Sequence, residues 1–140
     1  MKSGPSEDVA EIRHGIMRMA RRMRAARSPD ALSSNKLAVL GHLYRGGPGT
    51  PGELAEAENQ RPQSLTRVFA ELEAAGLISR ARGDHDRRQV VLTITEQGVA
   101  ALRRDMGERD AWLAGALGGL SETERDVLRI AARLMERLTE

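Results

Sequence analysis

Residues 62–98, reading PQSLTRVFAELEAAGLISRARGDHDRRQVVLTITEQG, constrain this chain more than any other part of it. Leu65, Val68, Phe69 and Leu72 recur at i, i+3, i+4 and i+7, the spacing of a helix with one buried stripe. Pro62 suits the first helical position, and Gly76 falls where a helix ends in a left-handed cap. Two β-rich runs follow, residues 77–82 and 89–94, joined by residues 83–88. The joining segment carries Asp84, Asp86, Arg87 and Arg88, four charges in five residues. This order predicts a helix followed at once by a hairpin with a charged tip.

The segments before it complete a pattern. A helix is expected over residues 34–44, with Leu37, Leu40 and Leu43 inward, stopped by Gly46, Gly47 and Pro48. Thr50-Pro51-Gly52-Glu53 is a capping box with proline at the first helical position. It opens a short helix to about Glu58, with Leu54 and Ala55 inward, and Asn59, Gln60 and Arg61 make the turn into the next. A braced short helix, a turn, a second helix and a hairpin form the plan of a winged helix-turn-helix, a module that reads DNA. Phe69, Tyr44 and Trp112 are the only aromatic residues, so the core is aliphatic, which suits packed helices. The expected fold class is mainly α with a small β-hairpin wing.

Long helices flank the module. The first is expected from near Ser6, with Glu7 and Asp8 in its first turn, to a stop at Ser28-Pro29. Its apolar positions Val9, Ile12, Ile16, Met19 and Met23 follow 3, 4, 3, 4 spacing, a heptad seam. Such a seam packs on its own domain or on a partner subunit. Thr95 caps a fifth helix to about Leu117, with Val99, Leu102, Met106 and Leu113 inward and Gly107 weakening or bending it. After Gly118-Gly119, the capping box Ser121-Glu122-Thr123-Glu124 opens a last helix with Val127, Ile130, Leu134 and Leu138 on one face. The chain divides into an N-terminal dimerisation helix (1–30), a winged helix-turn-helix (31–98) and C-terminal dimerisation helices (99–140).

A recognition helix needs short polar or cationic side chains near its N-terminus, where base edges are within reach. Gln63, Ser64 and Arg67 meet that need: Gln pairs bidentately with adenine, and Arg with guanine O6 and N7. Thr66, Arg61 and the helix's own amides suit phosphates, which fix register without reading sequence. The hairpin tip offers Arg87 and Arg88. A guanidinium entering a narrow minor groove gains from its enhanced negative potential. The spacing Asp86-x-Arg88 lets the carboxylate hold that arginine extended. Against these stands the plain alternative of solvated charged surfaces, which contribute little.

Net charge is only +2, so bulk electrostatics announce no nucleic acid. The distribution is uneven: residues 11–27 hold six arginines against Glu11, a local charge of +5. Residues 61–91 hold six arginines against four acids, a local charge of +2. Absence of cysteine rules out disulfides and thiol chemistry and fits a reducing cytoplasm. His14, His42 and His85 are scattered, so no metal site is expected, nor any cofactor. No HExxH, phosphate-binding glycine loop or nucleophile elbow supports an enzyme. No apolar run approaches the ~18 residues of a membrane span, and MKSGPSED lacks the apolar core of a signal peptide. A cytoplasmic protein with no membrane partner is the expectation.

The run Asp84-His-Asp-Arg-Arg88, followed by Val91-Leu-Thr-Ile-Thr-Glu-Gln-Gly98, resembles the wing signature of the MarR family of multiple-antibiotic-resistance regulators. Leu65-Thr-Arg67 and Leu72-Glu-Ala-Ala-Gly-Leu-Ile-Ser-Arg80 resemble its recognition helix and first wing strand. With the long flanking helices, nearly the whole chain takes part. The resemblance implies a homodimer on double-stranded DNA, its first, fifth and sixth helices interlocked through Val9, Ile12, Ile16, Met19, Leu134 and Leu138. It implies that Asp86 orients Arg88 into the minor groove, that Arg87 meets phosphate or sugar, and that Gln63, Ser64, Thr66 and Arg67 face the major groove. It implies a repressor released from a pseudo-palindromic operator by a small aromatic or phenolic effector, in a cleft near Met17, Arg18 and His42. The peroxide-sensing and zinc-sensing types lack their ligands here. An effector-insensitive regulator or activator, and a protein-interaction module without DNA binding, remain as alternatives.

Overall fold

The computed structural model describes residues 4–140; residues 1–3, where the N-terminal segment begins, lie outside the described residues. The elements run α1 (Pro5–Ala25), α2 (Ser34–Gly46), α3 (Pro51–Ala57), α4 (Pro62–Ala74), β1 (Ile78–Arg82), β2 (Val90–Ile94), α5 (Glu96–Leu117) and α6 (Glu122–Thr139). The architecture is mainly helical with one antiparallel hairpin, as the sequence pattern requires.

The chain forms two compact units, residues up to Arg27 with Glu108–Glu140, and Ser28–Gly107. The second unit holds the aliphatic core. Leu37, Val39, Leu40 and Leu43 of α2, Leu54 and Ala55 of α3, and Leu65, Phe69 and Leu72 of α4 close on Ile78, Leu92 and Leu102. Each fully buried leucine among these removes a side chain from water for roughly 1.5–3 kcal/mol.

Local signals set the boundaries. Ser33 caps α2 by accepting a bond from the Lys36 amide. Thr50 and Glu53 form the reciprocal capping box of α3, and Ser121 and Glu124 that of α6. Gly76 follows α4 at φ +74°, in the left-handed region open to glycine. At α5, the Thr95 hydroxyl accepts from the Gly98 amide at 3.1 Å and donates to the Gly76 carbonyl at 2.6 Å. One side chain thus caps one helix and satisfies the end of another.

The hairpin pairs Ile78 with Ile94, Arg80 with Leu92 and Arg82 with Val90. It is not confined to two strands. Gly49 exchanges both backbone bonds with Leu92, at 3.0 and 2.8 Å, so the segment between α2 and α3 acts as a one-residue third strand. Asp105 of α5, buried at 4% exposure, accepts the Leu32 amide at 3.2 Å and ties α5 to the segment leading into α2.

Two expectations change. The first helix starts at Pro5, next to the expected Ser6, with Gly4 as an N-cap that gives no side-chain bond, but it ends at Ala25, short of Ser28-Pro29. Proline at the first helical position sets the start, since its missing N–H has no partner to lose there. α5 is one helix from Glu96 to Leu117 with Gly107 inside it. Met106 is exposed instead of inward, because the buried face of α5 is centred on Gly98, Ala101, Leu102 and Asp105, leaving Met106 at its margin. In the other unit, Val9, Ile12, Ile16 and Met19 on α1 and Val127, Ile130, Leu134 and Leu138 on α6 are all exposed, Leu138 at 85%.

Candidate DNA interface

The fourth helix is amphipathic in the required sense. Its stripe Leu65, Phe69 and Leu72 is buried, while Gln63, Ser64, Thr66 and Arg67 share the opposite, solvent-exposed face. Arg61 occupies the N-cap without making a side-chain cap bond. With proline at the first position and the Ser64 amide bonded to the Arg61 carbonyl at 2.9 Å, the Gln63 amide is the first-turn N–H without a capping side chain. The Thr66 hydroxyl donates to the Pro62 carbonyl at 3.2 Å, so it turns only its lone pairs outward. A phosphate would have to draw that hydrogen away.

Arg67 is not a loose cation. Its Nε–H donates to Glu71 Oε1 at 2.8 Å, one turn along the helix, while Lys36 Nζ of α2 sits 2.9 Å from Glu71 Oε2. The Lys36 hydrogen bond, then that of Arg67, holds the Glu71 carboxyl below its ordinary value. Arg80 of β1 pairs with Glu73 of α4 at 3.1 Å, so the hairpin leans on the same helix through a second ion pair. The spacing Arg67-x-x-x-Glu71 would have flagged the first contact; nothing local could place Lys36 beside it.

The hairpin tip is tied at its base by the Gly83 amide bonding the Gln89 carbonyl at 2.9 Å. Within it, Asp84, His85, Asp86, Arg87 and Arg88 are all exposed. The Asp86 carboxylate accepts the backbone amide of Arg88 at 2.9 Å, rather than holding its guanidinium. At a separation of two residues the amide is nearer than the end of the side chain, as in an Asx turn. Asp86 fixes the course of the loop, and the guanidinium of Arg88 is left to point outward. Among the described residues, neither Arg87 nor Arg88 is in an ion pair.

Met17 and Arg18 are exposed on α1 in one compact unit, and His42 is half-buried on α2 in the other. No cluster of three potential metal ligands occurs among the described residues, and no helix is long and apolar enough to cross a membrane.

Residues 32–89, which span α2 to the wing tip, match the MarR family. An uncharacterised HTH-type transcriptional regulator of Mycobacterium bovis, Mb0904, is 37% identical over 127 residues, 91% of this chain and 89% of its own. The chain belongs to the MarR family. The transcriptional repressor MprA of Escherichia coli K12 is 37% identical over 89 residues, 63% of this chain and 51% of its own. A crystal structure of a transcriptional regulator protein from Pseudomonas aeruginosa matches with a TM-score of 0.85 at 31% identity, covering 100% of this chain and 99% of that one. This MarR-family chain is a transcriptional regulator that binds DNA, and its family and relatives are regulators, not enzymes. Helix, uncapped amide and cationic wing tip all belong to the compact unit Ser28–Gly107, which contains the whole family match.

Proposed function

We propose that this MarR-family regulator is a homodimeric repressor that reads a pseudo-palindromic operator. Gln63, Ser64 and Arg67 meet base edges in the major groove, Arg61 and Thr66 meet phosphates, and the wing places Arg88 in the minor groove with Arg87 on the backbone. The observation that carries this reading is the presence, in one compact unit, of an exposed polar helix face and a hairpin with a cationic tip, whose first strand pairs with that helix through Arg80 and Glu73.

Exposed aliphatic faces on α1 and α6, through Val9, Ile12, Ile16, Met19, Leu134 and Leu138, support dimerisation by residues 1–30 and 99–140. Apolar side chains recurring at helical spacing mark a surface that needs a partner. Repression is supported by the likeness to MprA, a transcriptional repressor. Release by a small aromatic or phenolic effector near Met17, Arg18 and His42 completes the reading. For such release, the effector must bind preferentially to a state whose two recognition helices no longer match the spacing of the half-sites.

Selection of bound sequences from random DNA tests it. The expected result is a two-fold site with half-site centres about one helical turn apart, roughly 34 Å. Arg88→Ala should cut affinity for that site at least about fivefold, the lower range of one lost specific contact, with the melting curve unchanged. An asymmetric single site, or unchanged affinity of Arg88→Ala, overturns the dimeric or the wing assignment respectively.

A further inference from the structure

The three-residue ion cluster Lys36–Glu71–Arg67 does more than an exposed helix pair does. An isolated i, i+4 pair contributes little because two mobile side chains must be ordered to make it. Here the carboxylate is held from two helices, each oxygen taken by a different cation. Lys36 is the anchored member: its amide is bound by the Ser33 cap and its side chain is only 26% exposed. Once Lys36 fixes Glu71, ordering Arg67 requires freezing one side chain instead of two. Arg67 itself remains 89% exposed on the polar face of α4.

Which nitrogen is used decides what is left over. Glu71 takes Nε–H, the inner edge of the guanidinium. The terminal nitrogens are left with the fork that matches guanine O6 and N7. A guanidinium whose inner edge is fixed cannot swing freely to a phosphate, so it becomes a base reader more than a mobile charge. Lys36 also settles the electrostatics. Two cations and one carboxylate leave the cluster at +1, so the acid beside the groove does not cancel the site's attraction for DNA.

We propose that Glu71, held by Lys36, is a positioning residue that presents the outer edge of Arg67 for bidentate recognition of a guanine in each half-site. The inference rests on the placement of α4 in the major groove. It adds two residues, neither of them reaching a base, to the determinants of sequence preference.

The test measures binding of the full-length protein to its selected site, to four versions of that site with each base at the Arg67-dependent position, and to random duplex. Wild type, Glu71→Gln, Lys36→Met, Arg67→Ala and the Arg67→Ala/Glu71→Gln pair are compared at several salt concentrations. Glu71→Gln should lower discrimination for guanine at one position per half-site by about tenfold, leave binding to random duplex equal or tighter, and leave the circular-dichroism spectrum of the folded protein unchanged. Lys36→Met should lower the same discrimination. In the Arg67→Ala background Glu71→Gln should change discrimination no further. If Glu71→Gln leaves the guanine preference intact while Arg67→Ala abolishes it, the positioning role is overturned and the reading of Arg67 stands. If Arg67→Ala alters no base preference, the reading of Arg67 in the groove fails, and the positioning role with it. Equal loss on all sequences from Glu71→Gln would show a merely structural part and also overturn the proposal.

Discussion

Gly98 offers the sharpest stability test in the chain. A Cβ placed on it would lie 2.1 Å from the Leu77 carbonyl oxygen and 2.8 Å from Ile94 Cγ1. Even close C···O contacts stay near 3.3 Å, so Gly98→Ala must open the junction between α5 and the hairpin by more than about 1 Å. The carbonyl cannot turn away, because it accepts the Thr95 amide at 3.1 Å. The Thr95 hydroxyl bonds to the Gly98 amide and the Gly76 carbonyl would be disturbed with it. A lost backbone bond contributes about 1 kcal/mol, a disturbed cap about 1 kcal/mol, and overpacking about 1–3 kcal/mol. Against this, alanine gains up to about 1 kcal/mol in helix propensity. The net cost is about 2–4 kcal/mol, a sizeable part of the roughly 5–15 kcal/mol that stabilises a domain. Thermal melts followed by circular dichroism, at one fixed protein concentration, should fall by roughly 10 °C. The companion variant Gly107→Ala meets no atom within 4 Å on its helix. It should instead gain about 0.5–1 kcal/mol. A Gly98→Ala melt within about 2 °C of wild type, beside a Gly107→Ala that gains as expected, would refute this account of the junction.

Other outcomes follow from single contacts. Asp105→Ala removes the bond from the Leu32 amide to a buried carboxylate and should cost about 1–3 kcal/mol in urea denaturation, with Asp105→Asn recovering part of it. Ser121→Ala removes half of the α6 capping box and should cost about 0.5–2 kcal/mol by the same assay. The folded-state values of Glu71 and Glu124 are both lowered, the first by Lys36 and then Arg67, the second by the Ser121 amide and then its hydroxyl. A lowered carboxyl contributes stability that is present above its ordinary value of 4.5 and lost as pH falls through the folded value. Acid titration of stability should therefore be unaffected by these groups near neutrality and decline below 4.5, with a shallower decline in Glu71→Gln/Glu124→Gln. Binding to the selected site should weaken steeply with salt, by a log–log slope of about −0.9 per phosphate contacted, and a flat response would remove the basic residues from the DNA backbone.

What was legible in the sequence was whatever a few neighbouring residues decide together. Thr50 and Ser121 announce their helices because a cap is completed within four positions, and Gly76 announces the end of α4 because only its backbone accepts φ +74° cheaply. The hairpin's existence followed from β-rich runs either side of a charged turn. Contacts that join distant segments were silent. Asp105 reads as one more acid on a charged helix until Leu32, 73 positions away, supplies an amide. Gly49 carries no strand signal at all, since a single residue has no alternation to show. At the interface, the exposed residues of α4 could be chosen from helical period, whereas the partner of Glu71 on α2 depends on how two helices pack. The Asp86-x-Arg88 spacing marks the pair, and the loop's own turn decides that the backbone amide is the donor.

The Gly49–Leu92 pairing has a mechanical consequence. Leu92 is fully buried, gives both its backbone bonds to Gly49 ahead of α3, and has Arg80 of the hairpin as its register partner on the other side. The loop is tied again at its base by the Gly83–Gln89 bond, beyond which residues 84–88 extend. α3 packs on both α4 and β2. If α4 and the wing read DNA as proposed, a displacement of α3 should reach both reading elements together, and contact with the two grooves should be gained or lost in one step.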